Sequence, residues 1–102
     1  MPRNEPSSSS PAFVTVVESE ACHFCADAQR ALTELARDYP LSVRTIDVRS
    51  TEGQGLMQRH GAAMSPLVLL EGQFFSHGRL PRRKLRHLLA DRYGAAQSAS
   101  AG

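Results

Sequence analysis

Phe13-Val14-Thr15-Val16-Val17-Glu18-Ser19-Glu20-Ala21-Cys22-His23-Phe24-Cys25 is the stretch that decides how this chain is read. Phe13 to Val17 is short and β-branched, a composition that suits a strand buried on both faces. Glu18 to Ala21 breaks it. Beyond the break, Cys25, Ala28, Leu32, Leu35, Ala36 and Tyr39 recur at three- and four-residue steps, the spacing of one helix face. Pro40 stops that pattern. The two cysteines therefore fall where a strand hands over to a helix, with Cys22 at the junction and Cys25 one turn in.

That location has chemical consequences. The first N–H groups of a helix have no partner within it, and they and the helix dipole favour negative charge. A thiolate at Cys22 is stabilised there, and the thiolate is the form that attacks. Three residues is nearly one helical turn, so Cys25 lies on the same side, close enough to close a disulfide. Cys25, the deeper thiol, suits the resolution of an intermediate, and the spacing supports two-electron exchange. Two other readings stay open: half of a zinc or iron–sulfur site, or two inert buried thiols. A structural zinc normally needs four ligands, and His23, His60, His77 and His87 show no paired spacing. Redox use is the favoured reading.

The rest of the chain extends the same alternation. Leu41 to Val48 reads as a second strand. Thr51 with Gln54 forms a capping-box pattern ahead of a short helix reaching about His60, weakened by Gly53 and Gly55. Leu67 to Leu70 and Gln73 to Ser76 read as a hairpin across Glu71-Gly72. Pro81 stands where a helix begins, Leu85, Leu88 and Leu89 make one apolar stripe, and Gly94 is a stop. The order β-α-β-α-β-β-α defines an α/β layered domain over residues 12–94. Residues 1–11 and 95–102 are Ser-, Pro- and Ala-rich and read as disordered tails.

A length of 102 residues fits one small domain. The longest apolar stretches fall far short of the roughly 20 residues that cross a bilayer. The first residues lack the apolar core of a secretory signal. The expectation is a cytoplasmic protein with no membrane partner. Net charge is +2, too small to argue for nucleic acid. The basic run Arg79, Arg82, Arg83, Lys84, Arg86 and Arg92 has no interleaved aromatics, so it reads as the solvated face of the last helix. The sharper alternative is a docking surface for an acidic partner.

Cys22-His23-Phe24-Cys25, followed about forty residues later by Met64-Ser65-Pro66 and the hairpin, resembles the glutaredoxin/thioredoxin family over residues 12–94. The resemblance implies a glutaredoxin-like thioredoxin fold: a central four-stranded mixed sheet flanked by helices. It implies a cis Pro66 facing the cysteines, and a Ser65 whose backbone pairs with substrate. It also places Met64, His23, Phe24 and His77 around a substrate site whose catalytic residues are Cys22 and Cys25. The implied activity is dithiol thiol–disulfide oxidoreduction by a monomer with no bound cofactor or metal, acting in electron transport and cell redox homeostasis. The implied partners are a disulfide-containing protein or a small-thiol mixed disulfide as substrate. A flavoprotein reductase or a low-molecular-weight thiol, such as glutathione, is the implied reductant.

Several positions depart from the family pattern. Typical glutaredoxins carry Pro-Tyr where His23-Phe24 stands, and a protonated His23 would favour the thiolate. Glu18 and Glu20 precede Cys22 where a lysine is usual. Ser76-His77-Gly78-Arg79 replaces the Gly-Gly and Asp that hold glutathione. Val16 stands about where thioredoxins bury an Asp. Another small thiol or a protein disulfide therefore stands level with glutathione. The alternative function is a non-enzymatic thioredoxin-fold module that binds a metal, an iron–sulfur cluster or a protein partner.

Overall fold

The computed structural model describes residues 10–94. Of the expected tails at 1–11 and 95–102, residues 1–9 and 95–102 lie outside the described residues. Seven elements follow in order: β1 (Ala12–Glu18), α1 (His23–Leu35), β2 (Leu41–Asp47), α2 (Thr51–Arg59), β3 (Leu67–Leu70), β4 (Gln73–His77) and α3 (Arg82–Tyr93). They build one mixed sheet in the order β2-β1-β3-β4. β1 runs parallel to β2 and antiparallel to β3, and β3 is antiparallel to β4.

Alternation along β1 sorts the core into two layers. Ala12, Val14 and Val16 point to one face, where they meet Ala28, Ala31, Leu32 and Leu35 of α1 and Leu85 and Leu89 of α3. Val17, Ile46, Leu67 and Leu69 form the other layer, covered by Leu56 and Met57 of α2. That second cover is short. Phe13, expected inside a doubly buried strand, is 55% exposed because nine-residue α2 does not reach its end of the face. Leu88, expected on the buried stripe of α3, is likewise exposed, and Leu85 and Leu89 alone go inward.

Local chemistry sets the helix ends. α1 stops at Leu35, ahead of Pro40. The amides of Arg37 and Asp38 bond the carbonyls three residues back, tightening the chain into a turn that drops Tyr39 into the core and leaves Ala36 exposed. α2 is capped by Ser50, whose hydroxyl accepts the Gly53 N–H at 2.9 Å, rather than by the expected Thr51–Gln54 box. Gly53 is a requirement of this packing and no weakness. A Cβ there would collide with the Asp47 carbonyl oxygen and lie 3.0 Å from Val48 Cα. Gly55 faces open space.

The turn between β3 and β4 has Glu71 at φ 54° and Gly72 at φ 79°, both left-handed, as a tight two-residue hairpin demands. Glu71 is tied down threefold. Its amide donates to the Phe13 carbonyl, and its carboxylate accepts the Phe13 N–H at 2.9 Å and Arg92 at 2.8 Å. The Phe13 amide first, then the Arg92 guanidinium, hold the Glu71 carboxyl below its ordinary value. In β4 a register shift opposite Val68/Leu69 inserts Phe75 as an extra residue, sending its ring into the α1–α3 layer.

Half of the basic run is held in ion pairs among the described residues. Arg82 pairs with Asp27 at 2.7 Å and Glu34 at 3.3 Å, and Arg86 with Asp38 at 3.2 Å, all three acids on or just after α1. These cations staple α3 to α1. Arg92 spends its charge on Glu71.

Gly53→Ala is expected to lower stability by about 2 kcal/mol or more through backbone overlap, while Gly55→Ala raises it by roughly 0.5–1 kcal/mol; urea midpoints of the two variants check the pair. Glu71→Gln is expected to cost roughly 0.5–1 kcal/mol at pH 7, discounted for its exposure. Because the folded carboxyl titrates lower than the unfolded one, this contribution is present above the ordinary value of 4.5 and disappears as pH falls through the folded value. The denaturation gap between Glu71→Gln and the parent should therefore close in acid.

Candidate active site

Cys22 is the N-cap of α1, in an extended conformation at φ −113°, ψ 110°. Its Sγ accepts the Cys25 N–H at 3.1 Å. The place usually taken by a Ser or Asp oxygen is thus held by sulfur. No acidic residue occupies the first turn of α1 to compete for the positive end of the helix. The approach from β1 is sharp: Ala21 sits at φ 49°, a left-handed conformation costly for a residue with a Cβ and concentrated at functional sites.

The two sulfurs are bonded as a Cys22–Cys25 disulfide with Cα atoms 5.1 Å apart. Their exposures differ. Cys22 is half-buried, whereas Cys25 is 3% exposed. An incoming thiol or disulfide reaches Cys22 first.

Sheet register brings the second half of the site to the first. Val17 of β1 lies opposite Leu67 of β3 in an antiparallel pair. The chain leaving β1 and the chain entering β3 therefore meet at one edge, although Cys22 and Ser65 are far apart in sequence. The Ser65 carbonyl oxygen lies 4.0 Å from Cys22 Sγ, the Ser65–Pro66 bond is cis, and Pro66 is fully buried.

Of the residues singled out in the sequence, Cys22, Cys25, Ser65 and Pro66 converge. His23 and Phe24 open α1 and are exposed, Phe24 at 40%; Met64 is exposed at 47% on the facing segment. His77 stands apart from this group in what it touches. Its Nδ1 accepts the Ala63 N–H at 3.0 Å, and its ring meets Phe74 edge-on at 5.8 Å between centroids.

Other contributors carried no motif. Glu18, Glu20, Ala26 and Gln29 wall the groove beside the disulfide. Gln29 Nε2 bridges Glu18 at 3.2 Å and Thr45 at 3.1 Å, joining α1 to both parallel strands. Arg49 pairs with Glu20 and Asp47. Its backbone amide, then its guanidinium, hold the Asp47 carboxyl below the ordinary range. Glu18 has no cation partner among the described residues, so this wall stays acidic. Gly78, at φ 79°, is also part of the frame, since a Cβ there would come within 3.0 Å of Met64 Sδ. The sequence signal for these groups was slight: Gly78 is a turn residue, and Gln29 lies one helical turn after Cys25.

The chain adopts the thioredoxin fold, with a Cys-x-x-Cys disulfide at the head of its first helix. It superposes on a point mutant of thioredoxin from Halobacterium salinarum with a TM-score of 0.61 at 20% identity, over 87% of this chain and 80% of that one. A thioredoxin-like protein from Clostridium perfringens matches with a TM-score of 0.61 at 11% identity, over 80% and 71%. Fasciola hepatica thioredoxin matches at 0.57 and 16% identity, over 80% and 81%. No protein-family model and no curated protein matches the sequence.

The difference in burial predicts selective modification. Iodoacetamide at pH 7 should alkylate Cys22 of the reduced protein at least about tenfold faster than Cys25, read by peptide mass spectrometry over time. Equal labelling would contradict the exposed/buried division.

Proposed function

We propose that this protein is a dithiol thiol–disulfide oxidoreductase that reduces protein disulfides, with small-thiol mixed disulfides as secondary substrates. The observation that carries the reading is the Cys22 sulfur. It receives the Cys25 N–H at a helix N-terminus and is half-open to solvent, with the Ser65 carbonyl 4.0 Å away.

The Cys22 thiolate attacks one sulfur of a substrate disulfide. A Cys22–substrate S–S bond forms, the substrate S–S bond breaks, and the departing thiolate takes a proton from solvent. Cys25 then loses its proton and attacks Cys22 Sγ. The Cys22–Cys25 bond forms, and the second substrate thiolate leaves and is protonated. Two electrons pass to the substrate, and an external thiol or a flavoprotein reductase returns two to the protein. The helix N-terminus lowers the cost of Cys22 as both attacking and leaving thiolate. The Ser65 backbone offers strand-like pairing to an extended segment of the substrate.

The rim supports a protein substrate over glutathione. Phe24, next to Cys25 in the chain, and Met64, next to Ser65, present exposed apolar surface, suited to the side chains of a polypeptide. Glu18 and Glu20 line the groove and disfavour a small thiol bearing two carboxylates. We further propose that the protein works as a cytoplasmic monomer.

Cys22→Ser is expected to retain the fold, since serine is a good N-cap, and to bring insulin-disulfide reduction down to the rate without protein. Cys25→Ser should accumulate a mixed disulfide with the substrate, visible by mass spectrometry. Comparable residual turnover in both variants would reverse the role assignment. Stoichiometric zinc or iron in the freshly purified protein, with no reversible dithiol couple, would replace the enzyme reading by a metal-binding module.

A further inference from the structure

We propose that His77 is a positioning residue: by accepting the Ala63 N–H, its imidazole holds the Met64-Ser65-Pro66 segment in place over Cys22. The inference rests on the oxidoreductase reading for its consequence, though its geometry stands independently.

Residues 61–66 carry the Ser65 carbonyl and must hold their place without a helix or strand of their own. They are tied at one end by the Ala62 N–H, which donates to the Met57 carbonyl at the end of α2, at 2.9 Å. At the other end the Gly78 N–H donates to the Pro66 carbonyl at 2.9 Å. Between those ties, the hydrogen bond from Ala63 N–H to His77 Nδ1, at 3.0 Å, is the one that fixes the approach to Ser65 among the described residues. Met64 adds a packing contact, its side chain lying in the space that the missing Cβ of Gly78 leaves open. Two consecutive residues at the end of β4, His77 and Gly78, thus clamp the whole segment.

The clamp is built from the sheet upward. His77 is opposite Leu67 in the β3–β4 ladder, so its ring rises over the start of the strand that Pro66 leads into. Phe74 lies against the ring edge-on at 5.8 Å, which fixes its orientation. An acceptor at Nδ1 requires the neutral imidazole with its proton on Nε2. The ring therefore serves the segment with one nitrogen and packs against Phe74 with its edge, and it acts on the chemistry through Ser65 rather than on a sulfur. A Ser65 carbonyl free to swing away from Cys22 would offer an extended substrate a poorer template, so the loss should appear in substrate binding ahead of thiolate reactivity.

Three variants in the full-length protein separate the parts. His77→Phe keeps an aromatic ring without the acceptor, His77→Ala removes both, and His77→Asn places Oδ1 about where Nδ1 stood. Two readouts apply: amide hydrogen exchange at Ala63 by NMR, and KM and kcat for a disulfide-containing peptide. His77→Phe and His77→Ala should speed Ala63 exchange about tenfold or more and raise KM about 3- to 10-fold, with the alkylation rate of Cys22 unchanged. His77→Asn should recover both. Unchanged Ala63 exchange in His77→Ala, or an Asn variant no better than Ala, overturns the proposal. If the parent protein reduces no disulfide, the functional reading fails by itself, and the exchange measurement still decides the clamp.

Discussion

One hydrogen bond organises this molecule: the Cys25 N–H reaching back to Cys22 Sγ at 3.1 Å. It closes the first turn of α1 with sulfur as the cap. An N-terminus needs an acceptor, and the usual Ser, Thr, Asp or Asn would satisfy it with less reactive chemistry. Using cysteine puts a sulfur, bonded to Cys25, in the place of the cap. The surroundings conform to that choice. The first turn holds no acidic side chain that would compete for the helix end, and Ala21 takes on a left-handed conformation to deliver Cys22 from β1. The second cysteine falls where a single turn returns it to the first.

Those features differ in how far they can be read without coordinates. The Cys22/Cys25 junction was legible because periodicity changes there, from β-branched residues on β1 to three- and four-residue steps on α1. The hairpin was legible from Glu71-Gly72, where a left-handed turn needs residues of that kind. Phe13 was misjudged because its burial depends on the length of α2, which lies far along the chain. The cap of α2 fell to Ser50 instead of Thr51 because the bend after Asp47 decides which hydroxyl faces the helix amides. Gly53 looked like a weakness by propensity and is a necessity by packing, since the Asp47 carbonyl occupies the space a Cβ would need. The resemblance put His77 beside the site, but its bond to the Ala63 N–H could not be read. It depends on the β3–β4 register, with its extra residue at Phe75.

Charge shows the same division between local and long-range information. The run from Arg79 to Arg92 reads as a surface stripe when α3 is considered alone. In the folded chain, Arg82 and Arg86 face Asp27, Glu34 and Asp38, so two of the run's six cations are engaged between two helices. Single exposed pairs contribute little, but here they share one interface and point the same way, fixing how α3 lies on α1. On the opposite flank of the disulfide the balance is acidic. Arg49 engages Glu20 and Asp47, and Glu18 is held by the neutral amide of Gln29. The groove beside the cysteines is therefore walled by acidic side chains.

The pairing of β1 with β3 converts these local features into a site. Val17 opposite Leu67 sets the exit of one strand beside the entry of the other, so Cys22 and Ser65 need no direct bond to remain neighbours. Side chains alternate strictly along a strand, and a slip by one residue would move Val17 and Leu67 from the α2 layer into the α1–α3 layer, where other side chains already fill the space. The cost of that mispacking, typically about 1–3 kcal/mol for an overfilled core position, protects the register. The position of the carbonyl relative to the sulfur is thus enforced by burial in the core beneath it. His23, Phe24 and Glu18 lie outside this core, so the spacing of the disulfide and the Ser65 carbonyl is set by valines and leucines buried beneath them.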